Sequence, residues 1–262
     1  MPIITAAIVP HPPLLIPNIG KENVKRLKST SEAYQKLAED LYSGQIETII
    51  AISPHGPIYL ESFSINLCPE FFINFEEFGD FSSKLILNGD IGLAYKIREE
   101  LETKVPLQLI SQSILDYGSS VPLFLLCQHL PKIKVIPIYY SGLDLTSHYN
   151  FGRSIKHQLL ISKNRIAIIA SGDLSHRLTK DAPAGFNPKA KKFDKKLIDY
   201  LNHDQVDEIF KIRPEFIAEA GECGLKSIVI LLGVLAGIKY QPQLLSYEAP
   251  FGVGYLVMNF KI

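Results

Sequence analysis

The stretch ITAAIVPHPPLLIP, residues 4–17, joins an unbroken apolar run to a proline-rich turn with one imidazole inside it, His11. The run shows no polar alternation. A strand exposed on one face alternates, whereas a strand covered on both faces reads as continuous Ile, Val and Ala. Residues 3–9 are therefore expected to form a doubly covered strand of a parallel sheet. Similar runs occur at 46–52, 84–87, 135–140, 165–170 and 253–260.

Helical patterns lie between these runs. Residues 21–42 place Val24, Leu27, Tyr34, Leu37 and Leu41 near helical spacing. A second helix is expected over 90–103 with Asp90 as its cap, and others over 120–130, 145–161, 188–202, 204–211 and 222–237. Strands alternating with helices predict an α/β fold, a central mostly parallel or mixed sheet with helices on both faces. With 262 residues and no repeat, low-complexity tract or linker, the chain reads as a single domain over 1–262.

Composition narrows the function classes. Lys plus Arg is 27 and Asp plus Glu is 27, so there is no basic footprint for nucleic acid or an anionic membrane surface. The three cysteines, Cys68, Cys127 and Cys223, are far apart and odd in number, which argues against a disulfide framework and for a reducing compartment. No apolar stretch reaches the ~18 residues of a membrane span, and the N-terminal run lacks the flanks of a signal peptide. A cytoplasmic protein is expected.

In open α/β sheets, sites form beyond the carboxyl ends of the strands. Three of the seven histidines fall there: His11 in VPHPP, His55 in SPHGP and His176 in SGDLSH. Proline fixes φ and stiffens the first two turns, as a metal ligand requires. His129, His148, His157 and His203 sit on or beside polar helical segments and read as solvated or edge histidines.

A third ligand is offered by Gly221-Glu222-Cys223-Gly224, which opens the most apolar helix. Neighbours on a helix point ~100° apart, so Glu222 and Cys223 should not both face one metal. Glu222 completes a two-histidine, one-carboxylate set suited to non-haem Fe(II); Cys223 would favour copper or zinc. Glu222 is the preferred ligand, and it also suits a simple helix-dipole role. His176 is left as a proton-transfer group. Asp173 orients it or caps the turn. A zinc hydrolase ranks last, because neither HExxH nor a nucleophile elbow is present. Tyr247 and Tyr255 flank a glycine-bearing turn into the last strand, a turn that explains itself structurally.

VPHPPLLIP, SPHGP, LDYGSSVPL (115–123), SGDLSH, GECGLKS (221–227) and YEAPFGVGYLV (247–257) together resemble the class III, LigB-type extradiol dioxygenase superfamily, which includes Memo-like proteins. The resemblance implies Fe(II) on His11, His55 and Glu222, His176 as the proton handler, and an aromatic diol and O2 as substrates. It also implies a homo-oligomer, by analogy. One position departs: many of these dioxygenases carry histidine where this chain has Tyr117, which can donate a hydrogen bond but is mostly neutral at pH 7. Memo-like members often carry cysteine at the position of Cys223. The resemblance therefore also implies an alternative, a metal- or partner-binding protein without ring cleavage.

Overall fold

The structure, a computed structural model, describes residues 1–262. Its strands are β1 (Ile3–Val9), β2 (Thr48–Ser53), β3 (Phe63–Asn66), β4 (Glu70–Phe75), β5 (Asp80–Gly89), β6 (Leu107–Ile110), β7 (Lys134–Tyr139), β8 (Ile166–Ser171), β9 (Gln241–Glu248) and β10 (Tyr255–Lys261). Its helices are α1 (Pro17–Gly20), α2 (Lys28–Ser43), α3 (Ile91–Leu101), α4 (Tyr117–Cys127), α5 (Leu145–Ile161), α6 (Ala190–Asn202), α7 (Val206–Phe210), α8 (Pro214–Ala220) and α9 (Leu225–Leu235). The α/β class follows, with a mixed sheet in the order β4-β5-β7-β2-β8-β1-β10-β9, β3 branching from β7 and β6 pairing with β3.

The centre, β7-β2-β8-β1, is parallel throughout, and β10 and β9 add antiparallel pairs beside it. The apolar runs divide with a period of two between the faces. Ile50, Ile52, Ile136, Ile138, Ile166 and Ile168 join the core under α3, α5, α6 and α9. Ile49, Ala51, Val135, Ala167 and Ile169 join the core under α2 and α4. Each of these four central strands is covered on both sides, which is why its sequence does not alternate. The run at 84–87 differs, because it lies on β5 near the sheet margin, where Leu87 is buried and Ile86 is exposed.

Aspartates start three helices. The Asp90, Asp116 and Asp144 side chains accept from the backbone N–H groups of Leu93, Ser119 and Ser147, satisfying donors that have no partner inside the helix. The last apolar helix begins at Leu225, so Glu222 and Cys223 precede it in a bent entry rather than lying on its face. Strands β3, β4, β6 and β9 and helices α1 and α8 are additions to the sequence reading.

His148 corrects that reading. It is fully buried rather than solvated: its Nε2 accepts from the Ser141 N–H, and its Nδ1 donates to the Asp144 carbonyl 2.6 Å away. No helix is long and apolar enough to cross a membrane.

Candidate metal centre

Parallel pairing brings four strand ends to one rim. Val9 of β1 is level with Ser171 of β8, Ala170 of β8 with Ile52 of β2, and Ser53 of β2 with Tyr139 of β7. Two residues beyond β1 and β2, the proline turns direct His11 and His55 toward each other. Their Nε2 atoms are 3.0 Å apart. Tyr34 of α2 donates to the Pro10 carbonyl and ties the first turn to that helix.

The third donor at this point is Cys223. Its Sγ lies 3.6 Å from His11 Nε2, and the ligand atoms of His11, His55 and Cys223 all fall within 4.8 Å of one another. Ligands at the usual Zn–N and Zn–S lengths sit about 3.3–3.6 Å apart around a tetrahedral ion, so the spacing suits one metal. Glu222, the carboxylate preferred on sequence, is turned elsewhere: its Oε2 accepts from the Leu225 N–H at 2.5 Å and caps α9. Burial pushes its carboxyl up to about 7.

Close backbone contact makes the Cys223 position reachable. A Cβ on Gly172 would lie 2.1 Å from the Gly224 Cα, so the loop after β8 and the entry to α9 touch where both lack side chains. The Cys223 and Gly224 N–H groups donate to the Asp173 carbonyl, and the Asp173 N–H points back at the sulfur, 3.3 Å away.

The imidazoles are neutral, the state a metal ligand requires. Burial lowers His11 to about 3 and His55 to about 4, so both rings are neutral at pH 7. His11 Nδ1 lies 2.8 Å from Ser171 Oγ, and that hydroxyl donates to the Gly118 carbonyl at 2.5 Å. The serine proton is thereby committed, so the hydroxyl accepts from Nδ1–H and the Nε2 lone pair faces the site. Burial raises the Cys223 thiol well above its ordinary value; a bound cation would favour the thiolate. The donor set therefore fits a mononuclear, thiolate-accepting metal.

The residues expected to act on substrate surround this point. His176 donates through Nδ1 to the Gly221 carbonyl, 2.6 Å away, which leaves its Nε2 as the acceptor. Asp173 accepts the His11 N–H at 2.9 Å; its carboxylate lies 4.0 Å from His11 Nε2 and 3.9 Å from His176 Nε2. Burial pushes the Asp173 carboxyl up to about 6. Tyr117 stacks on the His55 ring with centroids 4.3 Å apart, and its hydroxyl is 3.0 Å from His55 Nε2. Burial raises the Tyr117 phenol, so it stays protonated at neutral pH. Tyr247 bonds Asp194 instead, and Tyr255 is buried on β10.

Sequence reasoning missed Ser171, Ser53 and Gly118. Ser53 donates to Asp116, the cap of α4, and Gly118 packs where a Cβ would meet Ser53 Oγ at 2.6 Å. A serine as the last residue of both β2 and β8 was the available signal.

Comparison with known proteins bears on family and fold. The family model described as the catalytic LigB subunit of aromatic ring-opening dioxygenase matches residues 5–258. Protein CA_C1420 of Clostridium acetobutylicum is 34% identical over 264 residues, covering 97% of this chain and 56% of that protein. The 3,4-dihydroxyphenylacetate 2,3-dioxygenase of Escherichia coli is 27% identical over 146 residues, 52% of each chain. The present chain thus spans about half the length of the curated relatives it matches. Among solved structures, the uncharacterized protein JW3007 from Escherichia coli K12 has a TM-score of 0.70 at 17% identity, covering 98% of this chain and 99% of that one.

Proposed function

Because the chain belongs to the family of catalytic LigB subunits of aromatic ring-opening dioxygenases, we propose that it opens a catechol-type ring with O2 at a metal held by His11, His55 and Cys223. The convergence of those three donor atoms within 4.8 Å carries the reading. The partial similarity to a dioxygenase named for a dihydroxylated aromatic supports the substrate class.

A bound Fe(II) would supply Lewis acidity and an electron path between the diol and O2, while holding both reactants together. The protein does the rest. His176 Nε2 takes the proton of a diol hydroxyl and later returns it. The Gly221 carbonyl fixes the tautomer that makes this acceptor available. Tyr117 keeps its proton and offers a hydrogen bond beside His55, where many relatives carry an imidazole. Asp173 holds the His11 backbone N–H and keeps its carboxylate 3.9 Å from His176 Nε2, where it balances the positive charge that ring gains on taking the proton.

The sulfur donor and Tyr117 favour a second reading, a Memo-like protein that binds copper or zinc without opening rings. One experiment separates the two. The apo chain is loaded anaerobically with Fe(II), Cu(I) or Zn(II) in turn, then exposed to O2 with a catechol. O2 uptake with a ring-opened chromophore in the Fe(II) sample alone supports ring opening. Stoichiometric copper or zinc binding with no O2 uptake under any loading supports the second reading. No binding of any ion defeats both.

A further inference from the structure

Pro122 lies inside α4, six residues into the helix, where proline costs stability. It is buried, it begins no turn, and the chemistry proposed above does not use it. A helical residue at 122 would donate its N–H to the carbonyl four residues earlier, that of Gly118. Proline has no N–H, so the Gly118 carbonyl is left without its helical partner. That same carbonyl accepts from Ser171 Oγ at 2.5 Å, and Ser171 Oγ is the atom that accepts from His11 Nδ1 at 2.8 Å.

We propose that Pro122 is a positioning residue for His11: by withholding a helix hydrogen bond it keeps the Gly118 carbonyl for Ser171, which commits the serine proton and fixes His11 as the Nδ1–H tautomer with Nε2 bare. The directions follow from the chemistry of each group. A carbonyl only accepts. A hydroxyl has one proton, and once it is given to Gly118 the oxygen faces the imidazole with lone pairs alone. A helical N–H would share the Gly118 carbonyl, draw it toward the helix axis and weaken its hold on the serine proton, which could then turn to Nδ1. The imidazole proton would then move to Nε2, the atom aimed at Cys223 and His55. Gly118 takes part by its size, since a Cβ there would meet His55 Cδ2 at 3.0 Å.

The inference rests on the metal-site reading for its purpose, and its test reads the tautomer in the metal-free chain. The variants are Pro122→Ala, Ser171→Ala and Ser171→Thr. The His11 ring-nitrogen NMR signals report the tautomer, Co(II) titration reports affinity, and thermal unfolding reports stability. In wild type the two ring nitrogens are expected to be well separated, in the pattern of an Nδ1–H imidazole. Pro122→Ala restores a helix bond and is expected to hold or raise the unfolding midpoint. In the same variant the ring-nitrogen separation shrinks and Co(II) affinity falls about tenfold, the lower end of the usual effect of losing such an outer partner. Ser171→Ala shows the same loss, and Ser171→Thr, which keeps the hydroxyl, restores the wild-type pattern. A purely structural proline would move stability and affinity together. A Pro122→Ala chain whose His11 signals and Co(II) affinity match wild type overturns the proposal, whatever Ser171→Ala does. A tautomer shift in the apo variants with no Co(II) binding even by wild type upholds the relay and defeats the metal reading.

Discussion

Gly172 and Gly224 touch backbone to backbone: a Cβ on Gly172 would stand 2.1 Å from the Gly224 Cα. This contact seats the sulfur-bearing segment against the loop after β8. Gly172→Ala is expected to push the two segments apart, at about 1–3 kcal/mol or somewhat more, the usual cost of overpacking where backbone must yield. Denaturant unfolding measures that loss. Metal titration of the folded variant should show weaker binding as well, because Cys223 moves with Gly224. A Gly172→Ala chain as stable and as tightly metallated as wild type would show that the close approach is incidental.

Cys223→Ala and Glu222→Gln should separate as a pair. The alanine variant is expected to lose stoichiometric metal, since it removes one of three donor atoms that lie within 4.8 Å of one another. The glutamine variant keeps an acceptor for the Leu225 N–H that Glu222 now caps. It should retain metal and lose at most about 1 kcal/mol of stability, the scale of a weakened cap. Elemental analysis after dialysis decides, and metal loss in Glu222→Gln with retention in Cys223→Ala would reverse the ligand assignment.

His176→Gln should leave the three donor atoms in place and lower catechol turnover by roughly 10²–10⁴, the ordinary range for removing a general acid–base group. Metal content and steady-state O2 uptake are measured on the same preparation. An unchanged rate at full metal content would remove His176 from the proton path.

The two imidazoles are legible in the sequence because each is fixed locally, by prolines in a turn just past a strand. The doubly covered strands are legible for a similar reason, since continuous Ile and Val has few other uses. β4 and β6 are not: β4 buries alternate residues at the sheet margin, and β6 is a short, partly exposed edge. The choice between Glu222 and Cys223 is also beyond the sequence. It depends on where α9 starts, and on a glycine contact between segments about fifty residues apart in the chain. The Ser171 bond to His11 spans 160 residues and leaves no local trace. His148 reads as a polar helix residue, yet tertiary packing puts it in the core with both nitrogens bonded.

Asp194 provides a pH test away from the metal ligands. It is fully buried on α6, and its oxygens accept from the Ser175 N–H at 2.9 Å and the Tyr247 hydroxyl at 2.6 Å. Burial raises its carboxyl from 3.8 to about 6. The folded chain therefore holds this proton more tightly than the unfolded one. The stabilisation is complete below about pH 4 and is lost as pH rises through about 6. Asp194→Asn cannot titrate there. Its stability relative to wild type should improve by roughly 2 kcal/mol between pH 4 and 7. Paired denaturation curves across that range check it, and a constant difference would mean that the Asp194 carboxyl is not perturbed.

The strand order has a consequence for assembly. β8 lies between β1 and β2, so His11 and His55 meet across a strand that carries neither, and Cys223 arrives from 212 residues beyond His11. A slip of one residue in either pairing would turn an imidazole to the opposite face of the sheet. Metal capture at the proposed centre would thus be a readout of correct register across the whole centre of the molecule. An ion that binds the finished site and not the open chain would add to native stability as its concentration exceeds its dissociation constant, rewarding the one alignment in which all three strands are in place.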